Sequence, residues 1–252
     1  MNRSSGSTEL SSIQAARGSC CAGSANIRWS IVIPVLNEAD IIADALTRLR
    51  PLQQQGIELV VADGGSTDHS PDLVREYGVR LVHTATGRAA QMNAGAGVAT
   101  GEYLLFLHVD TRLPESAGHT LARIFASGAV WGHFDVQLSG KQSLLRVVET
   151  LMNRRSRLTG IATGDQAMFV RRDLFEHIGG FPEIPLMEDV SLSKRLNRIA
   201  RPVCLRERVV TSSRRWEKNG IVRTILLMWQ LRLLYFLGTD PAKLAARYYE
   251  HD

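Results

Sequence analysis

Carboxylates recur in this sequence at the ends of apolar runs, where they can do chemistry. Asp110 follows Tyr103-Leu104-Leu105-Phe106-Leu107, inside His108-Val109-Asp110-Thr111. A carboxylate there can hold a divalent cation, and the cation can hold a diphosphate. Asp63 follows Val60-Val61-Ala62 and opens Asp63-Gly64-Gly65-Ser66-Thr67-Asp68. It can accept from a nucleobase N–H or a ribose hydroxyl. Asn37-Glu38 ends a third run, Trp29 to Val35. Glu188-Asp189 opens a helical stretch. A carboxylate partly out of water has a raised pKa and suits a general base; the spacing does not choose between these two. Plainer roles also exist. Asp110 can cap a helix that Pro114 suits, Asp63 can make a turn, and acids in a first turn favour the helix dipole.

The elements that must position these groups alternate. Strands are predicted over 29–35, 57–62, 79–83 and 103–107. Helices are predicted over 39–50, ended by Pro51, over 71–77, and over the small-residue stretch 87–99. Such alternation predicts an α/β fold with a mostly parallel central sheet and helices on both faces. The acidic strand ends then share one rim, the side on which open sheets bind ligands. Arg88 and Asn93 can reach a phosphate or sugar there. The second half is less regular. Strands are read over 130–138, 167–170 and 203–211, and helices over 143–158 and 172–178. In the helix opened by Glu188, Leu192, Leu196 and Ile199 share a face. Thr163-Gly164-Asp165-Gln166 precedes a strand, and Ser212-Ser213-Arg214-Arg215-Trp216 follows one. Its arginines can neutralise a departing diphosphate.

A 252-residue chain with 44% hydrophobic content can bury one sizeable core. Residues 1–28 read as a disordered polar tail without the apolar stretch of a signal peptide; an Arg-bearing targeting leader is the alternative. Three cysteines, Cys20, Cys21 and Cys204, form no metal spacing and fit a reducing compartment. From Lys194 onward there are 13 Lys/Arg against 5 Asp/Glu, which predicts an anionic partner. Aromatics are not interleaved as nucleic-acid binding needs. Residues 220–238 form a hydrophobic, amphipathic helix broken by Arg223, Gln230 and Arg232. It is too interrupted to span a bilayer. It can pack on its own domain, lie peripherally on a membrane, or make a homodimer.

Ile31-Val32-Ile33-Pro34 with Asn37-Glu38, then Val61-Ala62-Asp63-Gly64-Gly65-Ser66-Thr67-Asp68, then Gly87, Asn93, Gly95, Gly101-Glu102 and Phe106-Leu107 resemble family-2 glycosyltransferases of the GT-A fold. The likeness runs from Trp29 to about Trp216. His108-Val109-Asp110-Thr111 and Pro185-Leu186-Met187-Glu188-Asp189-Val190 are closest to a small bacterial group named for arsenosugar biosynthesis, the radical-SAM/selenodomain-associated transferases.

The resemblance implies a GT-A domain over 29–216 and a C-terminal helical segment over 217–252. It implies sugar transfer, with inversion, from a nucleoside diphosphate sugar to an acceptor hydroxyl in the cytoplasm. Pro34, Asn37, Glu38, Asp63, Arg88, Asn93, His108, Asp110, Arg214 and Arg215 then bind the donor. Asp189 is the base beside Glu188, and Asp165, Gln166 and Trp216 face the acceptor. Asp110 matches the last acid of an Asp-x-Asp metal motif, and His108 replaces the first. Imidazole suits Mn²⁺ better than Mg²⁺. A nucleotidyltransferase is the alternative within the class, though no Gly-rich, Lys-bearing loop follows Val35. A catalytically inactive anion-binding module is the other alternative.

Overall fold

The computed structural model describes residues 27–250. The tail expected over 1–28 lies outside the described residues except for its last two positions. Seven strands form one sheet: β1 (Trp29–Val35), β2 (Glu58–Asp63), β3 (Arg80–His83), β4 (Tyr103–Phe106), β5 (Trp131–Leu138), β6 (Phe169–Arg171) and β7 (Val203–Thr211). Their order is β3-β2-β1-β4-β6-β5-β7. β1 to β4 pair in parallel, β6 runs antiparallel between β4 and β5, and β7 pairs in parallel with β5. The predicted mostly parallel sheet is therefore present, with the antiparallel β6 as an addition.

Between the strands lie α1 (Ala39–Gln54), α2 (Ser70–Glu76), α3 (Arg88–Val98), α4 (Ala117–Ala126), α5 (Ser143–Thr159), α6 (Arg172–His177) and α7 (Glu188–Asn197). One apolar cluster packs α1 and α4 on one face of the sheet. A second packs α3, α6 and α7 on the other. Buried strands such as β1 and β4 are apolar, Ser30 of β1 excepted, because both faces are covered. After β7 come α8 (Arg214–Asn219), α9 (Ile221–Phe236) and α10 (Pro241–Tyr249). Leu231, Leu244 and Ala245 of the last two helices pack against Leu186, Met187 and Val190.

Two expectations change. Pro51 does not end α1, which continues to Gln54. A proline removes one backbone donor, but Thr47, four residues back, is exposed, so water can satisfy its carbonyl. Ile199 lies beyond the end of α7 and is exposed, so it does not extend that helix's buried face.

Close approach of α3 to the sheet needs a bare backbone. A Cβ on Gly95 would lie 2.4 Å from Val32 Cγ1. At Gly101, which leads into β4, it would lie 2.5 Å from the backbone Cα of Trp29. Gly97, exposed on α3, meets nothing within 4 Å. Urea melts should therefore separate two glycines. Gly101→Ala should lose about 1–3 kcal/mol by overpacking. Gly97→Ala should gain up to about 1 kcal/mol by removing helix-interior glycine entropy.

Candidate active site

The main cavity opens where the strand order reverses, between β1 and β4. That is where open α/β sheets hold ligands. It encloses about 770 Å³, a volume usual for small-molecule sites. The end of β1 supplies Pro34 and Glu38, and the end of β4 supplies His108 and Asp110. Because β6 is antiparallel, its start lies on the rim where the parallel strands finish. The short 3₁₀ turn Gly164–Gln166 before it therefore sets Gly164 and Asp165 in the same cavity. β7 ends on that rim too and delivers Arg214, Arg215 and Trp216 through α8. The start of α7 adds Glu188 and Asp189.

The charges are closely coupled. Burial pushes the Asp110 carboxyl above its ordinary range; His108 offsets part of this and the charge of Asp165 adds to it. Desolvation acts upward on Asp165 too, but its hydrogen bond and attraction to His108, with Arg88 and Arg155 beyond, hold it below the usual value. His108 Nδ1 is 3.5 Å from Asp165 Oδ1. Glu188 is 4% exposed. Burial, then the charge of Asp189, push it up to about 7, against the pull of Arg88. The Arg88 guanidinium lies 3.9 Å from it. Burial also raises Glu38, with Arg214 pulling it down and Asp110 pushing it up. Asp189 is fixed by backbone donors: Oδ2 accepts from Gly164 N–H at 2.8 Å and Oδ1 from Val190 N–H at 2.6 Å. Met187 before it takes a left-handed conformation, φ 69. A non-glycine residue there costs about 1 kcal/mol or more, a strain common at functional sites.

Comparison with known proteins fits this geometry. Residues 30–179 match the family described as glycosyl transferase family 2. The chain belongs to that family. A PGL/p-HBAD biosynthesis glycosyltransferase of Mycobacterium bovis is 33% identical over 168 residues, which cover 61% of this chain and 62% of that protein. This chain thus spans about three fifths of that relative. The fold is shared with S. aureus TarS, at 19% identity and a TM-score of 0.61, covering 75% of this chain and 61% of that one. It is also shared with the mannosyltransferase PcManGT of Pyrobaculum calidifontis, solved with GDP-Man and Mn²⁺. That match has 20% identity and a TM-score of 0.60, and covers 95% of this chain and 71% of that one.

Several expected site residues of this family-2 protein do not line the cavity. Asp63 is 2% exposed. Its oxygens accept from the N–H groups of Gly65 and Ser66 and meet His83 Nδ1 at 3.2 Å. It shapes the loop beside the cavity instead of facing into it. Asn37 binds the same loop, accepting from Thr67 N–H at 2.8 Å. Asn93 clips the backbone of Phe181 in both directions, at 2.9 Å each. Gln166 is fully buried and accepts from Ser156 Oγ at 2.7 Å. Uncapped backbone and buried hydroxyls claimed these amides before any ligand could. Gln91 was not anticipated. Its amide donates to the Val35 and Ala62 carbonyls at 2.6 and 3.1 Å, joining the ends of β1 and β2 at the cavity wall. Tyr248 was also missed. It lines the cavity from α10, and Arg215 Cζ sits 3.5 Å from its ring centroid.

Among the described residues, no three or more His, Cys, Asp or Glu side chains group as a metal site. His108, expected as a ligand, has Nδ1 turned to Asp165 and Nε2 buried without a hydrogen-bond partner. A Cβ on Gly164 would lie 2.6 Å from that Nε2, so the ring packs on the turn. Asp110 and Asp165 remain, close enough for the charge of Asp165 to raise Asp110. Two carboxylates suit a cation whose coordination is completed by substrate phosphates.

Glu188 gives this site a pH signature. Its folded pKa lies above the unfolded one, so its contribution to stability is fully present below about 4.5 and lost as pH rises through about 7. Chemical denaturation of wild type and Glu188→Gln at pH 5 and 8 should show the variant gaining on wild type at pH 8. The gain should be on the order of 1–3 kcal/mol, at about 1.4 kcal/mol per pKa unit.

Proposed function

We propose that this protein transfers a sugar from a nucleoside diphosphate sugar to an acceptor hydroxyl, with inversion. One observation carries the reading. Asp110 and Arg88 from the first half of the chain face Asp165, Glu188 and Asp189 from the second across one cavity. A group transfer needs such a meeting of an anion-binding wall with a carboxylate base. Family membership, and relatives whose names describe glycosyl transfer, support it.

In this reading the base of the nucleotide lies by the loop that Asp63 and Asn37 hold, with Pro34 and Glu38 below it. Asp189 takes the proton of the acceptor hydroxyl as its oxygen attacks the anomeric carbon. The two backbone N–H groups on Asp189 fix the direction of its carboxylate. The bond from the sugar to the diphosphate breaks, and Arg88, Arg214 and Arg215 meet the charge that leaves. Glu188 serves as the partner that positions Arg88. Asp110, aided by Asp165, would hold a divalent cation; it would supply Lewis-acid stabilisation of the leaving diphosphate. Trp216 and Asp165 border the acceptor side.

The finer placement in the arsenosugar-named group is part of this proposal. It is supported by the motifs around His108 and Met187, which border the cavity. A cytoplasmic setting is supported by the unpaired Cys204. No helix among the described residues is long and apolar enough to cross a membrane.

Two measurements test the scheme. Release of nucleoside diphosphate from a panel of sugar nucleotides should fall roughly 10²–10⁴-fold in Asp189→Asn, with donor binding retained; Glu188→Gln should be milder. Near-normal turnover in Asp189→Asn removes it as the base. By calorimetry, UDP or GDP should bind more tightly when Mn²⁺ is present, and Asp110→Asn should abolish that gain. Full activity in excess chelator overturns the cation.

A further inference from the structure

The outer face of α9 is an exposed apolar stripe, on which Lys194 reaches the ring of Phe236. Val222, Leu226, Trp229, Leu233 and Phe236 are all exposed, with Trp229 60% open to solvent. At 100° per residue these five fall within one narrow face. Neighbouring α5 extends the surface, because Val147, Leu151 and Leu158 are exposed on one side of it. The two helices pack together through Leu145, Val148, Ile221 and Ile225. Among the described residues, Leu36 and Ile199 are the only large exposed apolar side chains outside α5, α9, α10 and Leu237. Such concentration marks an interaction surface.

The charges on its helices are positive, although exposed Asp240 and Glu250 flank α10. Arg223 of α9 and Arg247 of α10 lie beside Val222 and Leu226, α10 also carries Lys243, and neither helix contains an acid; Arg232 of α9 lines the cavity instead. The acid of α5, Glu149, is buried against Arg146 and the Leu138 N–H. A second copy on this face would set like charges against like. A bilayer with anionic headgroups neutralises them while the apolar stripe enters the interface. We propose that the outer face of α9, extended by α5, docks on an anionic lipid bilayer. The helix is too short to cross it. This docking is independent of the chemistry assigned to the cavity.

Co-sedimentation of the full chain with vesicles tests it. Phosphatidylglycerol–phosphatidylcholine vesicles should capture the protein at least about tenfold better than phosphatidylcholine alone, and high salt should weaken capture. Trp229→Ser with Leu233→Ser should lower capture by roughly tenfold or more, with an unchanged melting temperature because both side chains are exposed. Arg223→Glu with Arg247→Glu should remove the preference for anionic vesicles. Equal capture by both vesicle types, or capture indifferent to these substitutions, overturns the proposal. So does light scattering that shows a wild-type dimer made monomeric by Trp229→Ser with Leu233→Ser, since a second copy would then cover the face.

Discussion

Gly164 joins the two halves of this molecule, and a larger residue there would displace the His108 ring. Its Cα side faces the His108 ring, where a Cβ would lie 2.5 Å from Cε1. Its N–H reaches the Asp189 carboxylate. One residue thus holds the end of β4 against the start of α7. The sequence distance is long, yet the contact is short because β6 runs backwards through the sheet. Were β6 parallel, its leading turn would lie at the opposite edge of the sheet, away from Asp110.

The electrostatics follow from that convergence. Acids that would repel in isolation are gathered at one cavity, and arginines from three elements are set among them. Arg88 comes from α3, Arg155 from α5 and Arg214 from α8. Half-satisfied groups of this kind are costly in the free protein. They are the groups that a bound anion, or an anion with its cation, would relieve. The strained Met187 belongs to the same arrangement, since it turns the chain sharply into α7.

The sheet was legible because its strands are short apolar runs ended by polar residues, and both faces are covered. Asp110, Glu38 and Arg88 were legible for the same reason, since a strand end or an adjoining helix start locates them. Asp63, Asn93 and Gln166 bond within the protein beside the cavity, a placement the sequence does not show because residue type says what a side chain can bond, not which neighbour reaches it first. In each case a backbone group or a buried hydroxyl did. Gln91 and Tyr248 left no local signal. Gln91 acts only because α3 lies across two strand ends, and Tyr248 only because α10 folds back over the rim. Long-range placement of this sort has no period to read.

The two sides of α9 have different surroundings. Leu231 and Thr224 border the cavity, and Trp229 and Leu233 look outward. The helix is therefore a wall one helix thick, about 10 Å with its side chains. A molecule gripped on the outside and reacting on the inside must carry its reactive atom across that distance. A compact solute entering from water meets no such demand. On the membrane-docked reading, a lipid-held acceptor would have to reach about that far to meet the cavity.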